Sequence, residues 1–268
     1  MSRTLWAKVN YRSPMQFVID IPIREYDISK ANISVLRDAN AISESEYNYL
    51  YNCPKEKRNT LVGLMISRNT KIEQVRKTGI ESARKAFMEI NNLDDKDILA
   101  IRNDSLMVLS DRPMILDITE RVKFRLEGSY RSFYHLGFVD YYYDFNPITN
   151  TEILDIKGLG DESILLHEKY MLDFLKELFY TAQIEGIPSA ISLLSNFYNN
   201  YIRRRLDVGY YRELNSRSNY KLNINSIAFA GGIELDKATR FDLRDIDINY
   251  NLNILLTLNK IFSSVYFK

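Results

Sequence analysis

The sequence predicts an α+β fold, with an antiparallel sheet, helices packed against it and a helix-rich second half. Residues 70–91 carry apolar side chains at three- to four-residue spacing, which is typical of a long amphipathic helix. Residues 97–110 contain two short apolar runs around a polar turn, which is typical of a β-hairpin. The 268 residues, 46% of them hydrophobic, suffice for one large domain or two modest ones with a buried core.

The first half of the chain is predicted to combine strands with several helices. Pro22 demotes the first strand towards a sheet edge or a bulge, because proline donates no ladder hydrogen bond. Ser43 and Glu46 form a capping box before one helix, and Pro54 can open the next. The predicted elements are a strand over residues 16–27, helices over 29–36, 43–50, 55–67 and 70–91, and the hairpin over 97–110.

The second half is predicted to contain a few strands followed by helices. Aromatic residues are dense over 122–145, which favours two or three antiparallel strands. Tyr141, Tyr142 and Tyr143 are assigned to such a strand and to the core. Wide apolar faces predict helices over residues 162–183, 189–206 and 247–267.

Composition excludes several classes of protein. Cys53 is the only cysteine, which excludes an intrachain disulfide and a cysteine-based zinc site. No apolar stretch approaches the roughly 18–20 residues of a membrane span, and residues 1–10 lack the apolar core of a signal peptide. We therefore expect a soluble protein of a reducing compartment, with no membrane partner and a cytoplasmic location, the host cytoplasm if the gene is viral.

Charge is distributed unevenly although the formal net charge is only +1. Segments 55–85 and 203–221 are basic, whereas segments 92–120 and 144–185 are acidic. The net charge excludes a globally basic nucleic-acid coat, so a charge-driven function must depend on local asymmetry. Two interpretations remain open: solvated helix faces that differ in sign, or a positively lined groove beside an acidic pocket.

Three segments of the first half carry residues suited to phosphate and metal chemistry. Asp27 ends a predicted strand, and a helix begins at once. Lys55, Arg58 and Asn59 lie within one turn at the start of a helix, where cations and an amide can contact a triphosphate. Asp104 lies in the tight turn of the predicted hairpin. A strand end and a hairpin turn on neighbouring strands can bring the two aspartates together.

Each segment also has a simpler structural interpretation. Asp27 or Ser29 suits the N-cap of the helix that follows. The helix of residues 55–67 can be an ordinary amphipathic helix with a solvated basic face. Asn103 and Asp104 are residue types that hairpin turns favour for conformational reasons alone.

The first segment resembles motif one of the palm of family B DNA polymerases, D-x-x-S-L-Y-P-S. Asp27 and Ser34 match, whereas Asn32 stands at the tyrosine position and Lys30 at the first serine position. In this resemblance Asp27 is a metal ligand and Asn32 lies near the sugar of the incoming nucleotide. A change from tyrosine to asparagine puts the discrimination between sugars in question.

The other two segments resemble the second and third palm motifs. The second, K-x-x-x-N-S-x-Y-G, is matched by Lys55, Asn59, Thr60 and Gly63, with Val62 in place of the tyrosine. The third, D-T-D-S, is matched by Asp104 and Ser105, but Arg102 replaces the first aspartate. Family A has H-D-E there, which Asn103, Asp104 and Ser105 resemble about as well. The resemblance covers about residues 16–110.

The resemblance implies a compact, template-dependent nucleotidyltransferase that uses Mg²⁺ or Mn²⁺. Asp27 and Asp104 would be the catalytic metal ligands, since two divalent ions stabilise the attacking and leaving oxygens of phosphoryl transfer. The residues that would bind the nucleotide are Asn32, Lys55, Arg58 and Asn59. The chain would then have a palm-like lobe with a minimal fingers helix over residues 1–112 and a mixed, helix-rich, thumb-like lobe over residues 113–268. Its partners would be a primer–template or single strand and a dNTP.

A second basic stretch could contact nucleic acid. Cations there would contact phosphates, and the interleaved aromatic rings would stack on bases. The cations are Arg203, Arg204, Arg205 and Arg212, followed by residues 217–221, and the tyrosines are Tyr201, Tyr210 and Tyr211. The alternative is a helix end with the basic residues that its C-terminus favours, and core tyrosines beyond it.

Three hypotheses about function therefore remain. The first is the nucleotidyltransferase. The second is a non-catalytic protein of the same palm ancestry that binds nucleic acid or a replication or transcription partner. The third is that the motifs are coincidental in an α+β protein of another role. The small size and the Asn/Lys/Ile/Tyr-rich composition suit a bacterial virus or a mobile element.

Overall fold

The protein has a mixed α+β fold, as the sequence predicts. The computed structural model describes residues 5–137, 139–157, 169–213 and 246–266. The chain divides into two compact units. The first comprises Met1–Met15 and Ile21–Tyr130, and the second comprises Gln16–Asp20 and Arg131–Lys268. Each described helix is too short or too polar to cross a bilayer.

Strands and helices follow one another in runs along the described chain. Those of the first half are β1 (Asn10–Arg12), β2 (Phe17–Val18), β3 (Ile23–Ile28), α1 (Ala31–Asp38), α2 (Glu44–Asn52), α3 (Lys55–Arg68), α4 (Thr70–Ile90), β4 (Ile98–Arg102), β5 (Ser105–Leu109) and β6 (Phe124–Tyr130). Those of the second half are β7 (Ser132–Leu136), β8 (Val139–Asn146), β9 (Thr151–Lys157), α5 (Lys169–Ile184), α6 (Ile187–Ile202), β10 (Arg212–Glu213), β11 (Ile246–Asp247) and α7 (Leu252–Tyr266).

The first unit is a five-stranded antiparallel sheet with helices packed against it. The strand order is β1-β4-β5-β3-β6, so β3 is an inner strand between the hairpin and β6. The predicted hairpin is confirmed, and its turn contains only Asn103 and Asp104. The four predicted helices of this half are confirmed as α1 to α4.

Local signals fix the ends of these helices. Ser43 and Glu46 form the predicted capping box, in which the Ser43 hydroxyl accepts from the Glu46 N–H and the Glu46 carboxylate accepts from the Ser43 N–H. Pro54 is the N-cap of α3, as its position predicts. The N-cap of α1 is Lys30, with φ of 49°, so the alternative in which Asp27 or Ser29 caps α1 is wrong.

The single strand predicted over residues 16–27 is also wrong. The structure has two strands there, and they belong to different sheets: β2 pairs with β7, and β3 pairs with β5 and β6. Asp20, with φ of 55°, and Pro22 separate them, because neither residue continues an extended ladder. The alternation of apolar residues predicted extended backbone correctly but did not reveal the break.

Helix α4 supplies a large part of the core of the first unit. The Phe87 ring centroid lies 5.2 Å from that of Tyr26 in β3 and 4.3 Å from that of Phe124 in β6. All three rings are buried. Tyr26 directly precedes Asp27, so this packing fixes the end of β3 where the aspartate lies.

The second unit contains a four-stranded antiparallel sheet in the order β2-β7-β8-β9 and a two-stranded sheet of β10 and β11. Tyr141, Tyr142 and Tyr143 lie in β8 and are fully buried, as predicted. Helix α5 confirms the described part of the helix predicted over 162–183, whereas residues 162–168 lie outside the described residues. The helix predicted over 189–206 is confirmed as α6, which ends earlier, at Ile202. The helix predicted over 247–267 is confirmed as α7, but it begins only at Leu252, because Ile246–Asp247 forms β11.

Candidate functional site

The sheet of the first unit brings the two predicted catalytic aspartates together. Asp27 is the last residue but one of β3, and it lies directly opposite Ser105, the first residue of β5. Asp104 precedes Ser105 in the hairpin turn, and its charge acts on the Asp27 carboxyl. The two aspartates are 77 positions apart in the sequence, and the segment between them includes the helices α1 to α4.

The two carboxylates interact electrostatically. The pKa of Asp27 is raised from 3.8 to about 6, mainly by burial and next by the negative charge of Asp104. The Asp27 side chain is 23% exposed, so solvent does not fully screen its neighbour. Near neutral pH the pair therefore has the unfavourable charge density that a bound cation relieves.

A cation of the protein itself already contacts Asp27. Arg125 of β6 lies opposite Asp27 across the ladder, and its Nη2 is 3.3 Å from Oδ2 of Asp27. The same Nη2 is 2.9 Å from a carboxylate oxygen of Glu127. The Arg125 hydrogen bond and charge lower the pKa of Asp27 and so oppose part of the rise.

A cleft of about 1070 Å³ opens in the first unit at this end of the sheet. All the residues predicted for metal and nucleotide binding line it: Asp27, Asn32, Lys55, Arg58, Asn59 and Asp104. The structure therefore brings together residues from β3, α1, α3 and the hairpin turn that are scattered over 78 positions of the sequence.

Basic and amide side chains at the start of α3 line the cleft together with the acidic pair. Lys55 and Asn59 are exposed, so both are free to meet a ligand. Arg58 is half-buried, and its Nη1 donates to the carbonyl of Cys53 at 3.2 Å, which holds the guanidinium in place. Their exposure agrees with the alternative of a solvated basic helix face, but that face lies in a cleft and not on an open surface.

Asn32 and Lys30 at the start of α1 are each held by a neighbour. The Asn32 amide oxygen accepts from Nη1 of Arg76 in α4 at 3.3 Å, which leaves the amide N–H₂ group to face the cleft. Lys30 donates to the carbonyl of Tyr51 at 3.0 Å, and its ammonium lies 2.9 Å from the centroid of the Tyr51 ring. This end of α1 therefore presents a preorganised amide and a cation to the cleft.

The donor set of the cleft fits a divalent cation that also binds phosphate. In the described part of the chain, no three side chains of the His, Cys, Asp and Glu types converge in a geometry that would hold a metal ion. The cleft offers two adjacent carboxylates instead. Mg²⁺ is commonly bound through one or two carboxylates, with substrate phosphates and water completing its shell.

Five charged residues of the cleft were missed by the sequence interpretation. They line it from β6 and the segment that leads into it: Glu120, Arg121, Lys123, Arg125 and Glu127. The last four occupy every second position, which is the period of a strand with one charged face. That period was the available signal, whereas the pairing of β3 with β6 that brings them to Asp27 is not visible in the sequence.

The basic residues predicted to bind nucleic acid lie in the second unit. Arg203 is the C-cap of α6, Arg203 and Arg205 are exposed, and Arg204 is half-buried with φ of 55°. Arg212 pairs through its backbone with Asp247 in the β10–β11 ladder. Residues 217–221 lie outside the described residues.

The tyrosines interleaved with these arginines do not form an open stacking surface. Tyr201 and Tyr211 are buried and stack on each other, with ring centroids 4.7 Å apart. The Tyr211 hydroxyl donates to the carbonyl of Tyr201 at 2.8 Å, and the Tyr201 hydroxyl accepts from the Asn251 N–H at 3.1 Å. The prediction that these two rings stack on bases is wrong, because they close the core behind α6. Tyr210 is half-buried.

The fold and the cleft define an α+β protein whose first unit holds two carboxylates in a cleft lined by cations. The comparison with known families gives a more particular assignment. Residues 1–264 match the family described as bacteriophage PBS1 gene 130 protein, and the chain belongs to this family of bacteriophage proteins. No curated protein matches the sequence. The viral origin that the composition suggested is thus supported.

Proposed function

We propose that this phage protein is a compact, template-dependent nucleotidyltransferase, similar to DNA polymerases in its palm motifs, that acts in the host cytoplasm. The observation that carries the proposal is the adjacency of Asp27 and Asp104 in a cleft that Lys55, Arg58 and Asn59 also line. The sheet edge, the order of the motifs and the helices between them agree with the palm resemblance. The palm-like and thumb-like roles of residues 1–112 and 113–268 stay predictions.

Asp27 and Asp104 would hold Mg²⁺ or Mn²⁺. Burial and, next, repulsion by Asp104 raise the pKa of Asp27, and a divalent cation bound by both carboxylates would oppose that rise by favouring their charged forms. When bound, the cation would stabilise the charge that develops on the attacking and leaving oxygens of phosphoryl transfer.

The other residues of the cleft would bind and orient the nucleotide. Lys55 and Arg58 would pair with the triphosphate, supplying positive charge where the pyrophosphate leaves. Asn59 would donate to a phosphate oxygen. Asn32, held from behind by Arg76, would contact the sugar. An oriented set of donors lowers the entropic cost of placing the reacting atoms in line.

Primer extension tests the proposal directly. The purified protein is given a primed DNA template, and then an RNA template, with all four dNTPs and either Mg²⁺ or Mn²⁺. We expect incorporation that falls at least a hundredfold in Asp27→Asn and in Asp104→Asn, because each removes a metal ligand. Lys55→Ala is expected to raise the KM for dNTP with a smaller effect on kcat.

Asp111→Asn is the matched control for these variants. Asp111 is an exposed aspartate of the same unit that does not line the cleft, so its loss is expected to leave incorporation unchanged. No incorporation by the parent protein with any template, or full incorporation in Asp27→Asn, would contradict the proposal.

A second candidate function has specific support. In a non-catalytic protein of palm ancestry that binds nucleic acid or a replication or transcription partner, the carboxylates would no longer serve a metal. The ion pair between Arg125 and Asp27, and Arg102 at the first aspartate position of the third motif, agree with that loss.

A nucleic-acid binding assay separates the two candidates. Salt-dependent binding of a labelled single strand without incorporation would favour the second function. In that case we expect the triple replacement of Arg203, Arg204 and Arg205 by Ala to weaken binding and to reduce its salt dependence. Capture of a protein partner in place of nucleic acid is the other form of this candidate.

A further inference from the structure

Arg84 is a charged residue in the core of the first unit. It lies on α4 and is 1% exposed, although its helix neighbours Ala83, Phe87 and Met88 are apolar core residues. A charge in such a place is costly unless other groups compensate it. The contacts of the Arg84 guanidinium therefore indicate what it does.

The guanidinium contacts the hairpin turn that carries Asp104. Nη1 donates a short hydrogen bond to the carbonyl of Asn103. Burial lowers the pKa of Arg84, and the charges of Glu81 and Asp104 oppose that change. The buried Nε has no hydrogen-bond partner among the described residues. The side chain is therefore oriented towards the turn at the cost of one unsatisfied donor.

The turn is held from two sides. The Asn103 N–H donates to the carbonyl of Val9 at 2.8 Å, and the Asn103 carbonyl accepts from Arg84. Asn103 itself has φ of 51°, a left-handed conformation that asparagine tolerates better than most residues. The peptide groups on both sides of Asn103, the residue before Asp104, are therefore each held by a hydrogen bond.

We propose that Arg84 is the positioning residue of Asp104: from behind the cleft it fixes the turn and supplies the charge that keeps this carboxylate beside Asp27. The inference rests on the proposed function, because it assigns Arg84 to the metal-binding pair. Arg84 does not line the cleft in the described part of the chain, so it acts through Asp104 and not on a ligand.

Binding of Mn²⁺ alone tests the proposal. The dissociation constant is measured by electron paramagnetic resonance for the full-length parent protein, Asp104→Asn, Arg84→Met and Arg84→Lys. We expect Arg84→Met to weaken Mn²⁺ binding at least tenfold, and Arg84→Lys to recover part of the loss because it keeps a buried donor and charge. Met88→Ala is the control: it opens a cavity in the same core without touching the turn.

A double-mutant cycle on stability gives a readout that needs no metal. The free energy of unfolding is measured in urea for Arg84→Met, Asp104→Asn and the double variant. We expect the two changes to be non-additive, with Arg84→Met less damaging once Asp104 has lost its charge. Additive effects would overturn the inference.

The outcomes separate this inference from the proposed function. A parent protein that does not bind Mn²⁺, or binds it equally well as Asp104→Asn, contradicts the metal site and with it the assignment of Arg84. Binding by the parent protein that Arg84→Met leaves intact, or that Met88→Ala weakens as much, overturns the role of Arg84 alone.

Discussion

Asp27 and Ser105 are direct partners across the β3–β5 ladder, and this register places Asp104 beside Asp27. A shift of one residue in the pairing would turn the Asp27 side chain to the other face of the sheet. The apolar residues of β3 and β5 oppose such a shift, because both strands bury most of their side chains. The candidate site thus depends on the packing of the sheet, and its electrostatics can be tested residue by residue.

Asp104→Asn is expected to lower the pKa of Asp27. The pKa should fall below about 6 but stay above 3.8, because burial is the larger cause of the shift and is retained. The measurement is a pH titration of the Asp27 carboxyl carbon by NMR. Asp111→Asn, which changes an exposed aspartate away from the cleft, should leave the titration unchanged. An unaltered midpoint in Asp104→Asn would mean that the two carboxylates do not interact.

Arg125→Gln is expected to act in the opposite direction. The Arg125 guanidinium stabilises the charged form of Asp27 through a hydrogen bond and its charge, so its loss should raise the pKa of Asp27 above about 6. The same NMR titration measures the change. Arg131→Gln is a matched control, because it removes an exposed Arg–Asp pair, with Asp20, in the other unit. A lower pKa in Arg125→Gln would contradict the ion pair.

Asp27→Asn is expected to stabilise the first unit at neutral pH. The folded-state pKa of Asp27 lies above its unfolded value of 3.8. The contribution of this group to the free energy of unfolding is therefore complete below pH 3.8 and is lost as the pH rises through about 6. Asparagine does not ionise. The variant should therefore be more stable by about 1–2 kcal/mol at pH 7, after allowance for solvent screening, and equal to the parent near pH 3.5.

Trp6 provides the measurement for this difference. It is the only tryptophan of the sequence, and it packs against the core of the first unit, so its fluorescence in urea follows the unfolding of that unit. A stability difference that stays constant from pH 3.5 to pH 8 would show that Asp27 titrates normally.

Local patterns predicted the helices, whereas long-range pairing decided what the sequence interpretation missed. The capping box of α2 and the apolar face of α4 each depend on a few neighbouring residues, so they can be recognised directly. The break between β2 and β3 depends on which sheet each strand joins. Arg125 was missed for a related reason: it meets Asp27 across 98 positions of the sequence.

The same distinction applies to the site residues. Asp27 and Asp104 were predicted from residue types at fixed local spacing, and both line the cleft, while their role stays a prediction. For Tyr201 and Tyr211 a stacking surface and a core position both stayed open, because alternation with arginines does not reveal burial. Their contacts with each other and with Asn251 come from the tertiary fold.

A pair of glycine substitutions tests the packing that supports the cleft. Gly79 of α4 lies against α1, and a Cβ there would be 2.7 Å from Cβ of Val35, closer than real Cβ atoms come. Gly79→Ala should therefore push the two helices apart and destabilise the first unit by about 1–3 kcal/mol. A Cβ added at Gly63 of α3 would have no heavy atom within 4 Å. Gly63→Ala should therefore stabilise the first unit by about 0.5–1 kcal/mol, because alanine has a higher helix propensity than glycine.

Urea unfolding followed by Trp6 fluorescence measures both variants. Asn32 lies in the first turn of α1 and lines the cleft, so displacement of α1 in Gly79→Ala should also weaken the binding of a ligand near Asn32. Gly63→Ala should not move α1. Equal stability of the two variants would show that α1 and α4 are not in close contact. A loss of nucleotide binding in Gly63→Ala at full stability would instead place the ligand against α3, because the added methyl group would then meet the ligand and not the protein.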